Sequence, residues 1–147
     1  MKKFFLPLLL WVAALAGCAG APEGIVVVDN FKLDRYLGTW YEIARIDNRF
    51  ERGSDHVSAS YTLRKDGMVQ VLNKGYYPDK KEWKTAEGKA KFAGNPNIGA
   101  LKVSFFGPFY GPYNVFALDH ENYSWALVTA SSRDYFWILA RTPQIEP

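Results

Sequence analysis

Residues 34–45 read Asp-Arg-Tyr-Leu-Gly-Thr-Trp-Tyr-Glu-Ile-Ala-Arg, and the remainder of the chain makes sense around them. A short polar run with room for one helical turn meets Gly38. A strand rich in β-branched and aromatic residues then begins at Thr39. Gly38 allows a sharp bend where a side chain would block the backbone. Trp40 follows at the first inward position and is large enough to plug the narrow end of a small barrel.

Downstream, polar turn clusters separate short runs that alternate with period two. The expected strands after the first are 57–64, 69–76, 83–92, 101–106, 113–118, 123–130 and 135–141. Lys65-Asp66-Gly67 reads as a hairpin turn. Gly-Pro pairs at 107–108 and 111–112 punctuate the middle of the chain. No stretch carries an amphipathic helical period. Eight strands with short connections predict an all-β, eight-stranded antiparallel up-and-down barrel.

Alternation assigns the faces. In the second strand Ala59, Tyr61 and Leu63 point inward, and Ser58, Ser60, Thr62 and Arg64 outward. Val69, Val71 and Asn73 line the third, and Ala86, Gly88, Ala90 and Phe92 the fourth. Leu101, Val103 and Phe105 come from the fifth strand, and Tyr113, Val115 and Ala117 from the sixth. Ala126 and Val128 belong to the seventh, and Tyr135, Trp137 and Leu139 to the eighth. Several expected lining residues are small, among them Ala44, Ala59, Gly88, Ala90, Ala117 and Ala126, which favours a cavity over a solid core. The candidate ligand-binding set is Ala59, Tyr61, Val71, Asn73, Val103, Phe105, Tyr113, Val115, Val128 and Trp137. Phe116, Leu118, Phe136 and Ile138 are expected outward yet apolar, so this face needs a cover or forms a homodimer interface.

Eight strands running up and down return the last one to the end where the first began. Arg141 therefore arrives beside Trp40, where a guanidinium over the indole face contributes about 0.5–2 kcal/mol. Gly38-x-Trp40, the stretch from Tyr113 to Tyr123 with Asp119 before its turn, and the terminal Arg141 together resemble the three ordered motifs of the lipocalins. The likeness extends from about residue 26 to the end. Stretches 105–113 and 134–143 are especially similar to bacterial outer-membrane lipocalins related to apolipoprotein D. The resemblance implies a barrel followed by a C-terminal helix and ninth strand; the sequence stops at Pro147, where that helix is expected to begin, so residues 31–147 are read as a C-terminally incomplete lipocalin barrel.

The N-terminus reads as an export signal over residues 1–17. Lys2 and Lys3 precede an apolar run that is too short to span a bilayer, and Leu15-Ala16-Gly17-Cys18 follows. That tetrapeptide resembles the lipobox of bacterial lipoproteins, which implies cleavage before Cys18 and its lipidation. Ala19 after the cysteine implies, by the same resemblance, the periplasmic face of the outer membrane. Residues 18–30 are then the lipidated cysteine and a tether whose Val26-Val27-Val28 run packs against the barrel. Cys18 is the single cysteine, so no intrachain disulfide forms.

Composition narrows the function. Among 147 residues there are 18 basic and 15 acidic ones, and two of the bases lie in the leader. The mature chain is near neutral without a basic stripe, which gives no case for nucleic-acid binding. His56 and His120 are expected at opposite barrel ends and form no metal site. There is no nucleophile elbow or phosphate-cradling loop, and no cofactor is expected. Glu42, inward by parity with Trp40, is the one candidate catalytic carboxylate. Its plainer reading is a structural acid bonded to a Tyr, Asn or Arg near the closed end.

The open mouth gathers Arg49, Arg52, Lys80, Lys81 and Arg133, interleaved with Phe50, Tyr77, Phe109 and Tyr110. A greasy hollow beneath a cationic, aromatic rim suits a single-tailed amphiphile with an anionic head; the alternative reading is ordinary solvated loop charges offset by Glu51, Asp55, Asp79, Glu82 and Asp134. Fatty acid or lysophospholipid is the expected ligand, and the resemblance implies a non-enzymatic carrier in envelope maintenance. An enzyme acting on a lipid within the barrel, through Glu42, is the second reading. A structural lipoprotein with a filled barrel is the third.

Overall fold

The computed structural model describes residues 20–145. Its elements are a single helical turn α1 (Leu33–Tyr36) and strands β1 (Gly38–Arg45), β2 (Asp55–Leu63), β3 (Val69–Tyr77), β4 (Glu82–Phe92), β5 (Ala100–Phe106), β6 (Phe109–Leu118), β7 (Trp125–Thr129) and β8 (Phe136–Ala140). Each strand pairs antiparallel with the next, and β8 closes on β1. The eight-stranded up-and-down barrel expected from the sequence is the observed fold. Loops 46–54, 78–81, 107–108 and 130–135 meet at one end, the mouth. Loops 64–68, 93–99 and 119–124 and α1 gather at the closed end.

Local chemistry explains the turns. Between β2 and β3 the Arg64 N–H donates to Met68 O at 2.8 Å, and Gly67 takes the positive φ of +82° that the turn requires. Asp66 Oδ1 accepts from the Met68 N–H at 3.0 Å, and Arg64 grips the same carboxylate. At the β6–β7 turn, Asp119 accepts from the backbone N–H groups of Asn122 and Ser124 and from the Ser124 hydroxyl. These bonds hold its carboxyl below the usual range.

The segment before α1 is part of the wall. Val28 donates from N–H to Val115 O at 2.9 Å and accepts from the Gly99 N–H at 2.9 Å. Phe31 donates to Asn97 O and is buried. A Cβ on Gly99 would lie 2.8 Å from Val28 Cγ2, so only glycine lets the two backbones approach this closely. The expected packing of the Val26-Val27-Val28 run thus holds at Val28, while Val26 is exposed.

Two β-bulges overturn part of the face assignment. Between Glu42 and Ala44 the pairing with β8 slips, so Glu42 pairs with Leu139 and Ala44 with Ile138. Ala44 therefore turns outward rather than lining the barrel, and Arg45 turns inward opposite Trp137. A second slip between Val115 and Ala117 pairs Leu118 with Ala126 and Ala117 with Leu127. Leu118 is buried inside, and Ala117 is on the outer face, the reverse of simple alternation.

Other differences follow from strand ends. Leu63 is 59% exposed, because the last β1–β2 rung is Gly38↔Tyr61 and no β1 residue flanks it. β6 begins at Phe109 and passes through Gly111 and Pro112, with Pro112 opposite Lys102. β7 joins only from Asn114, so the N–H that Pro112 lacks is not needed for a ladder on that side. Tyr135 precedes β8 and stacks on Trp137 at 6.2 Å rather than starting the strand. The outward rings of Phe116 and Phe136 contact each other at 5.8 Å and are half-buried.

Candidate ligand site

The floor is built first, since it decides where a hollow can be. Trp40 is 0% exposed, and its Nε1–H donates to Tyr36 O at 2.8 Å. The Arg141 guanidinium lies 3.9 Å from the Trp40 ring centroid. It also donates to three carbonyls: Arg35 O at 2.7 Å, Thr39 O at 3.1 Å and Tyr123 O at 3.1 Å. One side chain thus ties α1, β1 and the β6–β7 loop together. Gly38 has φ +100°, and a Cβ there would sit 3.2 Å from Arg141 Nη1. The three sequence-predicted residues Gly38, Trp40 and Arg141 meet in one cluster.

Above Trp40 three tyrosines form a second layer. Tyr113 OH lies 2.7 Å from Tyr36 OH and 3.0 Å from Tyr61 OH. Burial pushes all three phenols up, Tyr61 to about 12 and the other two well above their ordinary value. They remain neutral at physiological pH. The space bounded by Leu33, Tyr36, Tyr61, Val69, Ala90, Leu101, Val103 and Tyr113 is only about 10 Å³, room for roughly one water. This part of the barrel is packed.

Toward the mouth the packing ends. The rung Ala59↔Asn73↔Ala86 faces inward, and its members are half-buried or exposed. The β4–β5 ladder runs only from Lys89↔Ser104 to Phe92↔Leu101, so the first half of β4 is paired with β3 alone. Phe105 lies against Gly88 where that ladder ends, and a Cβ on Gly88 would be 2.8 Å from its ring. A groove of about 310 Å³ lies on the outer face there, between Arg64, Gln70, Glu87 and Lys89 on one side and Ser104–Phe105–Phe106–Gly107 on the other.

The inward-turned Arg45 organises the opposite side of the mouth. Its Nη1–H donates to Glu42 Oε1 at 2.8 Å, and its Nη2–H groups reach Glu51 O and Ser54 O, both at 3.0 Å. Glu51 Oε2 in turn accepts from Trp137 Nε1–H and Asn48 Nδ2–H, both at 2.8 Å. The β1–β2 loop is thereby folded across part of the opening, with Asn48 and Ser54 buried. Glu42 is pushed up to about 7, first by burial and then by the adjacent Glu51 carboxyl, against the pull of Arg45. Glu42 is thus bonded to an arginine, as its plainer reading expected, but on the mouth side of the floor. The Glu42-x-x-Arg45 spacing is the sequence signal for Arg45; nothing in the sequence marks Glu51 as its partner.

The predicted ligand-binding residues divide between these regions. Tyr61, Val71, Val115 and Val128 are buried in the packed part. Val103 and Tyr113 are half-buried at its border, and Ala59, Asn73, Phe105 and Trp137 edge the accessible part. The predicted rim is found at the mouth with diverse partners. Arg49 lies over the Phe50 ring at 4.9 Å, and Arg52 pairs with Asp47 at 3.2 Å. Lys80 and Lys81 are exposed. Arg133 donates to Glu23 O at 2.7 Å and so latches the N-terminal segment. Lys84, missed by the sequence reading, is in the inward register opposite Gly75, with its Nζ over Tyr77 at 4.9 Å. His56 sits at the mouth and His120 at the closed end. Cys18 and residues 1–17 are outside the described residues.

Comparison with known proteins places this geometry. Residues 31–147 match a family model described as a lipocalin-like domain. The chain is 54% identical over 146 residues to the outer membrane lipoprotein Blc of Vibrio cholerae, covering 99% of this chain and 84% of that protein. It is 36% identical over 157 residues to apolipoprotein D of Bos taurus, covering 96% of this chain and 82% of that protein. Insecticyanin from the tobacco hornworm Manduca sexta shares the fold, with a TM-score of 0.68 at 20% identity over 84% of this chain and 70% of that one.

Proposed function

The chain belongs to the lipocalin family, and from that premise we propose that it binds and carries a single-tailed lipid, a fatty acid or a lysophospholipid, while acylated Cys18 holds it at the bacterial outer membrane. One observation supports the ligand class above all. The accessible inward surface above the tyrosine layer is made of small residues at Ala59, Asn73 and Ala86, with Phe105 and Trp137 beside it. Small side chains over a packed floor suit one acyl tail entering end-on better than a broad ring system. Tail burial contributes about 25 cal/mol per Å², and a polar head stays at the rim among Arg49, Lys80, Lys81 and Lys84.

The anchor follows the same logic. Acyl chains contribute about 0.8 kcal/mol per buried CH₂, so two or more of them on Cys18 give stable attachment. The curated relative named outer membrane lipoprotein supports this placement.

The test is a titration of the chain with palmitate and with a lysophospholipid, followed by tryptophan fluorescence, alongside mass spectrometry of lipid that co-purifies. Saturable binding is expected, weakened at least tenfold by Ala59→Phe with no loss of thermal stability. No saturable change with either lipid, or unchanged binding in Ala59→Phe, overturns the reading.

A further inference from the structure

The tether and the mouth share one end of the molecule. Gly20, the first described residue, lies against β6, where a Cβ on it would be 2.9 Å from Pro112 Cβ. Pro112 is three residues from Phe109, the start of β6 at the mouth. Farther along, Arg133 of the mouth loop 130–135 donates to Glu23 O at 2.7 Å. Only after this latch does the chain run toward the closed end, to its bonds with Val115 and Asn97. Cys18 is two residues before Gly20, within about 7 Å of it even fully extended. The closed end is farther away. The eight residues of β1 extend about 26 Å, or roughly 20 Å along the axis at an ordinary barrel tilt.

The mouth also carries the exposed aromatic side chains such an arrangement needs. Phe106 is 78% exposed and Phe109 77%, one on each side of the Gly107-Pro108 tip. Phe50 is 64% exposed on the β1–β2 loop, with Ile46 beside it at 47% and Trp83 at 53% near the start of β4. Monomers seldom leave such a set in water without a use. The charges among them are of both signs: Arg49, Arg52, Lys80, Lys81 and Arg133 face Asp47, Asp55, Asp79, Glu82 and Asp134. A near-neutral aromatic collar with long basic side chains fits the head-group boundary of a bilayer, where rings insert and cations snorkel.

We propose that the open mouth docks face-down on the phospholipid bilayer that holds the anchor, through Phe106 and Phe109 first and Phe50 with them. This rests on the proposed acylation of Cys18. The occupant is the bilayer surface itself, because the tether delivers the collar there and keeps the closed end away. Docked in this way, the accessible inward surface at Ala59, Asn73 and Ala86 opens toward the lipid, so a tail passes between bilayer and barrel with little exposure to water.

The experiment uses the full acylated chain in vesicles of phosphatidylethanolamine and phosphatidylglycerol. Acylation consumes the only native thiol, so Pro108→Cys at the tip and Asn122→Cys at the closed end each offer one site for a nitroxide. Accessibility to oxygen and to a water-soluble nickel chelate then gives its depth. The label at 108 is expected within the bilayer and the label at 122 in water, and Phe106→Asp with Phe109→Asp moves the first into water while the chain stays bound. A water-exposed label at 108 on anchored protein overturns the proposal. So does dipolar broadening between labels at 108 on two copies, which assigns the collar to a dimer. A free thiol in the unlabelled parent chain refutes the anchor separately. Flotation of that unanchored protein with vesicles, lost on Phe106→Asp, would then support docking, and its absence would overturn it.

Discussion

The two ends of the barrel use the same kinds of residue to opposite effect. At the closed end Trp40, Tyr36, Tyr61 and Tyr113 are locked together, with every indole and phenol polar atom bonded and the Arg141 guanidinium spread over the indole. At the mouth Phe50, Phe106, Phe109 and Trp83 are largely exposed, as are Arg49, Lys80 and Lys81. The first arrangement is stability and the second is readiness to bind. Between them the interior changes from a gap of about 10 Å³ to small side chains open to solvent.

The contrast is broken most severely by removing the floor. Trp40→Ala leaves a cavity beneath the tyrosine layer and strips Arg141 of its cation–π partner. The expected cost is about 3–5 kcal/mol, read as a lower urea midpoint; a loss under 1 kcal/mol would mean the closed end is not the stability centre. Tyr113→Phe is the next test. It leaves the buried Tyr36 and Tyr61 hydroxyls without the partner they share and costs about 1–3 kcal/mol, again by denaturant titration.

Glu42 sharpens the comparison through pH. Its folded value of about 7 lies above the ordinary 4.5. Between those values the folded chain holds a proton that the unfolded chain has lost, so stability falls as pH rises through this window. Thermal melts from pH 4.5 to 7.5 should show that decline, and Glu42→Gln should flatten it. An unchanged slope would remove Glu42 from the account. The smallest effect belongs to the rim. Arg52→Ala breaks an exposed pair with Asp47 and should change stability by no more than about 0.5 kcal/mol.

Much of this division could be read in advance where the chain obeys simple periodicity. Gly38, Trp40 and Arg141 were legible because an even number of up-and-down strands must bring both ends to one floor. Tyr61, Val69, Val71 and Ala90 face inward as alternation requires. The remainder was less legible for a physical reason. Each bulge adds a residue without any mark in composition, and everything beyond it changes face. That is why Ala44 and Ala117 turned out, Arg45 and Leu118 turned in, and the Arg45–Glu51–Trp137 brace went unseen. The latch of Arg133 on Glu23 O involves a backbone oxygen, which no side-chain pattern announces.

The division between packed floor and open cup is tested most directly by a fatty acid brominated midway along its tail. Trp137 edges the accessible part of the barrel and Trp40 is sealed beneath the tyrosines. Bromine should therefore quench Trp137 at saturation and leave Trp40 emission unchanged, as resolved by Trp137→Phe beside the parent chain. Quenching that survives Trp137→Phe and tracks Trp40 would place the tail where the floor is said to be solid, and would contradict the account.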